Sequence, residues 1–156
     1  MIEVSIPGNA KLRLEHLVLD FNGTLACDGN LLPGVADQIV KLAKCLTIHV
    51  LTADTFGNVE TAMQAVPARV RILPQIGQGH AKMAYVGELG RNSVVAVGNG
   101  RNDRLMLQAA GLGIAVVGPE AAAVDAVRAA DLVVTNIHAA FDLLSNPLRL
   151  VATMRE

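Results

Sequence analysis

A chain of 156 residues with no Pro/Ser-rich or charged run to divide it has the length of a single domain, 1–156. Thirteen basic against fourteen acidic residues leave a formal net charge of -1, which removes the electrostatic basis for nucleic-acid or membrane-surface binding; a small molecule is the expected partner. With 52% hydrophobic but only 3% aromatic residues, the interior must be built from Val, Leu, Ile and Ala, as in a parallel sheet covered by helices.

From the start of the chain, 2–6 alternates apolar and polar residues, and Pro7-Gly8 then leads to Lys11-Leu12-Arg13-Leu14, a pattern for an N-terminal edge hairpin. Nothing at this end has the basic and apolar blocks of a leader, and no apolar run is long enough to span a membrane, so a cytoplasmic location is expected. Leu17-Val18-Leu19 is the first buried strand, and Asp28-Gly29 between short apolar flanks marks a two-residue hairpin. Helical spacing at Val35, Ile39 and Leu42 precedes a strand at 48–51; the same spacing at Val59, Ala62 and Met63 precedes one at 70–73. A helical stretch starting at Lys82, a strand at 94–97, a helix through Leu105, Met106 and Ala109, and a strand at 114–117 continue the alternation. An Ala-rich helix over 121–130, wet at Asp125 and Arg128, leads to a sixth strand at Leu132-Val133-Val134. The tail from Asn136 to Met154, interrupted by Asn146-Pro147, reads as two short helices or one broken helix. Such alternation specifies an α/β fold: a Rossmann-like three-layer sandwich with a mainly parallel sheet. Cys27 and Cys45 lack the spacing of a metal site and are expected as buried, reduced thiols.

Ligands of such sheets bind outside the carboxyl ends of the strands, so the polar residues that follow the apolar runs carry the functional information. Asp20 ends the first run and opens Asp20-Phe21-Asn22-Gly23-Thr24; it is a candidate nucleophile or metal ligand, and Gly23 is a place where backbone amides can approach an anion. Thr52 follows the 48–51 run and is a candidate phosphate donor, although Thr52 or Asp54 also reads as the cap of a helix starting near Thr55. Lys82 can offset charge on a phosphoryl group and on Asp20. The 94–97 run ends in Gly98-Asn99-Gly100-Arg101-Asn102-Asp103, where Asp103 is a candidate cation ligand and Asn102 reads as a brace for the turn. Arg101 and Arg104 flank this crevice, either steering an anion or as ordinary solvated charge.

In this order the four segments resemble the motifs of the haloacid dehalogenase (HAD) superfamily: Asp-x-x-Gly-Thr, a strand-end Thr, a Lys, and Gly-Asp-Gly-x-Asn-Asp. The resemblance is strongest to the phosphorylation domain of P-type ATPases and its soluble relatives, because Asp20-Phe21-Asn22-Gly23-Thr24 lacks the second aspartate of typical HAD phosphatases. It implies that Asp20 attacks phosphorus and that Gly23, Thr52, Ala53 and Lys82 hold the phosphoryl oxygens. It further implies Mg at Asp20, the backbone carbonyl of Asn22, Asn99 and Asp103, with Thr24 and Asn102 in support. The intervals between motifs leave no room for a cap domain. Capless members commonly close the crevice with a neighbouring subunit, which makes a homo-oligomer an expectation.

Two departures weaken the chemistry. Asn22 stands where the family places its general acid/base, and a carboxamide transfers no proton, so slow turnover favouring good leaving groups is expected. Asn99 puts an amide oxygen where the cation would meet a full charge. A HAD-fold binding or regulatory module that no longer turns over is the alternative.

Overall fold

The computed structural model describes residues 1–8, 11–53 and 57–156. Its strands are β1 (Ile2–Val4), β2 (Leu12–Leu14), β3 (His16–Asp20), β4 (Ala26–Cys27), β5 (Asn30–Leu31), β6 (Thr47–Thr52), β7 (Arg69–Ile72), β8 (Val94–Gly98), β9 (Leu112–Val116) and β10 (Leu132–Val134). The helices are α1 (Val35–Leu42), α2 (Val59–Met63), α3 (Gln78–Leu89), α4 (Arg104–Ala109), α5 (Val124–Ala129), α6 (Ile137–Ser145) and α7 (Pro147–Met154).

All six apolar runs enter one parallel sheet, ordered β10-β9-β8-β3-β6-β7. Side chains alternate across it, as the two-residue period of a strand requires. Leu17, Leu19, Ile48, Val50, Val95 and Val97 join the larger core with α1, α2, α6 and α7. Val18, Leu51, Val94, Ala96 and Ala115 face the smaller core with α3, α4 and α5. That second layer lies close to the strands: a Cβ built on Gly113 would stand 2.4 Å from the Leu107 carbonyl oxygen.

The N-terminal hairpin forms a two-stranded sheet of its own, pairing Ile2 with Leu14 and Val4 with Leu12. Asp28 (φ 49) and Gly29 (φ 76) turn the β4–β5 hairpin, since two consecutive left-handed residues suit the twist of a two-residue loop. Between Asp20 and Thr52 lie only this hairpin and α1 with the start of β6, and among the described residues α2 and β7 fill the interval to Lys82; no cap is inserted. The tail is two helices, with Pro147 at the first turn of α7 where its missing N–H costs nothing.

Several local expectations are corrected. Lys82 does not begin its helix: α3 starts at Gln78 after Gly77 (φ 77), which puts Lys82 in the second turn. The Ala-rich helix begins at Val124, because Ala121 is left-handed (φ 62) and the Ala123 amide donates to the Asn99 carbonyl at 2.8 Å. Cys27 and Cys45 are free but only half-buried. Asp54 and Thr55 lie outside the described residues; α2 itself begins at Val59, after Asn58. No described helix is long and apolar enough to cross a membrane.

The smaller core contains a histidine. His49 is fully buried, with Nε2 3.1 Å from His16 Nδ1 and Nδ1 2.9 Å from the Tyr85 hydroxyl on α3. Burial, then the charges of His16 and Arg69, push its pKa down to about 4. Farther out, the Arg71 guanidinium lies over the Tyr85 ring. The unfolded chain takes up this proton near the ordinary histidine value of about 6.5, and the folded chain resists until about 4. The unfolded state therefore binds more protons in that window. The His49 contribution to stability is level above it, falls with falling pH within it, and levels again below it. His49→Gln is expected to destabilise the protein at pH 7.5, with its disadvantage shrinking by roughly 2–3 kcal/mol by pH 4.5. Urea unfolding of both proteins at several pH values checks this, because other titrations cancel in the difference; a difference independent of pH would contradict it.

Candidate active site

Three central strands end at one level. Asp20 closes β3 opposite Leu51 of β6, Thr52 is the next residue of β6, and Leu19 pairs with Val97, one residue before the end of β8. The chain leaves β3 for β6 on one side, and β8 later takes the other, so Asp20 stands where the strand order reverses, the position that leaves a crevice in such sheets. There Asp20, Asn22, Thr52, Ala53, Gln78, Asn99, Gly100, Asn102 and Glu120 line a cavity of about 250 Å³.

Behind the cavity is a charged triad. Lys82 Nζ donates to Asp20 Oδ1 and to Asp103 Oδ1, each at 2.6 Å, with the lysine side chain only 1% exposed. The other oxygen of Asp103 accepts the Asn99 amide at 3.0 Å and the Gly100 amide at 2.8 Å. Asp103 thus ties α3 to the loop after β8, and a Cβ at Gly98 would fall 2.5 Å from its carboxyl carbon. One ammonium serves two carboxylates, so the effects on the partners differ. Burial raises the Asp20 pKa to about 6, and the Asp103 charge adds to this; Lys82 and Thr24 counteract only in part. Burial alone would lower the pKa of Lys82, but two anions outweigh it and hold the lysine above its usual value. At neutral pH Asp20 is mostly ionised, at a cost to the fold.

Thr24, fully buried, stands between the motifs: its hydroxyl is 3.2 Å from Asp20 Oδ2 and 3.3 Å from Asn99 Oδ1. Asn99 Nδ2 donates to the Ala121 carbonyl at 3.0 Å, a bond that an aspartate at this position has no proton to make. The amide therefore holds the left-handed Ala121 loop, which carries Glu120 to the cavity.

Asp20, Asn22, Thr52, Ala53, Asn99 and Asn102, all singled out in the sequence, come together at the cavity. Lys82 and Asp103 meet Asp20 from behind and do not line it. Asp103, expected as a cation ligand, is fully buried with both oxygens accepting hydrogen bonds and stands off the cavity lining. Gly23, expected to offer its amide to an anion, donates it to the Ala26 carbonyl at 2.8 Å. Its glycine is required for another reason: at φ 82 a Cβ would come within 2.3 Å of Asn99 Nδ2.

Besides Gly100 of the quoted turn, two lining side chains were missed. Gln78 is one turn before Lys82 on the same face of α3, and its Oε1 accepts from Asn102 Nδ2 at 2.7 Å. Glu120 follows β9 at the same sheet edge as the other candidates, and that position was the available signal. Its Oε1 accepts the Asp28 amide at 2.9 Å, while Asn58 Nδ2 donates to the Gly29 carbonyl at 2.8 Å. The tip of the β4–β5 hairpin is thereby held from two sides.

No family model matches the chain. Over 80 residues, 49% of this chain and 86% of the relative, it is 42% identical to the uncharacterized protein MJ0073 of Methanocaldococcus jannaschii. The chain belongs to that protein's family. Its fold is the HAD fold. The cobalt-bound deoxy-D-mannose-octulosonate 8-phosphate phosphatase of Haemophilus influenzae superposes with a TM-score of 0.72 at 15% identity, covering 91% of each chain. The corresponding phosphatase of Moraxella catarrhalis, in complex with magnesium, phosphate and KDO, gives 0.67 at 17% identity over 91% of this chain and 94% of that one. A HAD-superfamily phosphatase from Bacteroides thetaiotaomicron gives 0.59 at 14% identity over 85% and 94%. This chain thus carries amides, Asn22 and Asn99, on a HAD-like fold at two positions where the motifs it resembles have carboxylates.

Proposed function

We propose that this protein is a slow, Mg-dependent phosphohydrolase of a small phosphorylated molecule, working through phosphate transfer to Asp20. The observation that carries the reading is Asp20 itself: a strand-end carboxylate held at 2.6 Å by a buried lysine and opening on a polar cavity. A lone pair on a carboxylate oxygen of Asp20 would attack phosphorus as the bond to the leaving oxygen breaks and its electron pair departs. Water would then attack the acyl phosphate, releasing phosphate and restoring Asp20. Lys82 neutralises part of the charge on the nucleophile and fixes its orientation, and Thr52 and Ala53 present the neighbouring strand end to the phosphoryl group.

The donor set suits a hard cation. Asn22 Oδ1 is buried without a hydrogen-bond partner, and the other cavity-facing groups that would hold Mg, Asp20 and Asn99, also offer oxygen. Bound there, Mg would withdraw charge from the phosphoryl oxygens. We assign Asp103 to positioning Lys82 and the loop after β8. The lack of an acid/base at position 22 favours leaving groups that depart without a proton, as in acyl phosphates and nitrophenyl phosphate, and is the feature shared with P-type ATPase phosphorylation domains. A regulatory module without turnover is the weaker reading, because the strand-end carboxylate still opens on the cavity with its buried lysine in place.

Steady-state assays with Mg test the proposal. Acetyl phosphate and nitrophenyl phosphate are expected to turn over and alkyl phosphates barely to react. Asn22→Asp is expected to raise kcat on alkyl phosphates by ~10²-fold or more, and on acetyl phosphate far less. Equal rates on both classes in the wild type would refute the role given to Asn22.

A further inference from the structure

A second cavity, of about 450 Å³, adjoins the first. Gln78 and Asn102 line both, so this hydrogen-bonded pair is the sill between them. The two differ in charge. The Asp20 cavity carries two carboxylates, Asp20 and Glu120, on its lining, whereas the second is lined by His80, Arg101 and Arg104 and, among the described residues, by no acidic one. In a chain of net charge -1, guanidiniums on the wall of a cavity beside the reactive carboxylate make a local field for anions.

The arginines are not equivalent. Arg101 is paired through Nε with Asp125 at 2.8 Å and is otherwise exposed. Arg104 is half-buried and spends one bond, from Nη1 to the Arg101 carbonyl at 2.9 Å, which holds the guanidinium and leaves its other N–H groups to a ligand. The first turn of α3 (78–80), whose amides have no carbonyl within the helix to donate to, forms the facing wall.

We infer that this cavity binds a second anionic group of the substrate, a phosphate or carboxylate on the molecule whose first phosphoryl group meets Asp20, with Arg104 as the principal specificity residue. The substrate class is then a small bisphosphate or phosphocarboxylate rather than a neutral alcohol phosphate. This rests on the reading of Asp20 as the phosphate acceptor.

Calorimetric titration with propyl phosphate, 3-(phosphonooxy)propanoate and propane-1,3-diyl bisphosphate tests it. These alkyl esters should turn over too slowly to disturb a binding measurement. The wild type is expected to bind one or both dianchored ligands about 10-fold or more tighter than propyl phosphate, the scale of one charge-assisted hydrogen-bonded pair. Whichever gains more tells phosphate from carboxylate. Arg104→Gln should remove most of that advantage and leave propyl phosphate binding unchanged; Arg101→Gln should remove less. Equal affinity for all three in the wild type, or an advantage that survives an Arg101→Gln/Arg104→Gln double variant, overturns the inference. If none of the three binds while acetyl phosphate still turns over in an Asp20-dependent way, only the second-anion inference falls. If acetyl phosphate fails too, the phosphate reading of Asp20 falls with it.

Discussion

Asp20→Asn is expected to be inactive and more stable than the wild type. Removing a nucleophile whose covalent intermediate carries the reaction lowers turnover by about 10⁴-fold or more, and no neighbouring carboxylate is placed to substitute: Asp103 stands off the cavity lining, and Glu120 is tied to the Asp28 amide. Stability should move the other way. Burial and Asp103 hold the Asp20 pKa at about 6 against an ordinary 3.8, so the ionised carboxylate is penalised in the fold at pH 7. For a carboxylate with a raised pKa, the folded state binds more protons than the unfolded one between the two values. Its ionisation therefore lowers stability as pH rises through that window, and the penalty persists above it. Asparagine removes the charge while its carbonyl oxygen can still accept from Lys82, which should stabilise the protein by roughly 1–3 kcal/mol at pH 7. Thermal unfolding and the acetyl phosphate assay on the same preparations check both halves. Residual activity near wild type would remove Asp20 from the chemistry; a destabilised variant would show that the carboxylate charge supports the fold.

The second large effect concerns Lys82. Lys82→Met keeps the length of the side chain and removes the one cation shared by Asp20 and Asp103, leaving two carboxylates facing each other out of water. Breaking a buried ion pair in this way costs about 3–5 kcal/mol at neutral pH. Without the ammonium Asp20 holds its proton to still higher pH, so the deficit should shrink as pH falls from 7 to 5. Adding Asp103→Asn should restore part of the loss, since it removes one of the two stranded charges. Urea unfolding at both pH values, on the single and double variants, measures this. A Lys82→Met protein as stable as the wild type at pH 7 would mean that the ammonium does not compensate the pair. Activity should be lost in either variant, because Asp20 loses its orientation.

Much of the architecture is legible in local patterns. Six short aliphatic runs became the six strands because a strand buried on both faces needs little more than such a run between turns. Asp28-Gly29 made the hairpin because its two positions need left-handed backbone. The helix starts were less legible. Alanine favours a helix from 121, but Asn99 holds the Ala121 and Ala123 backbone in a loop, and a tertiary contact of this kind overrides propensity.

The sequence by itself determined which residues stand at the ends of strands: Asp20, Thr52 and the Gly98-Asn99-Gly100 turn, together with the amides at 22 and 99. These follow from periodicity and chain order, which are local properties. Only the tertiary structure decided what those residues touch. The crossover that places β8 beside β3 brings Asp103 to Lys82 rather than to the cavity, and the loop after β9 brings Glu120 to its lining. Such contacts join residues far apart in the chain. Their distances depend on strand order and helix packing, and the hydrophobic period that builds each element carries no information about either.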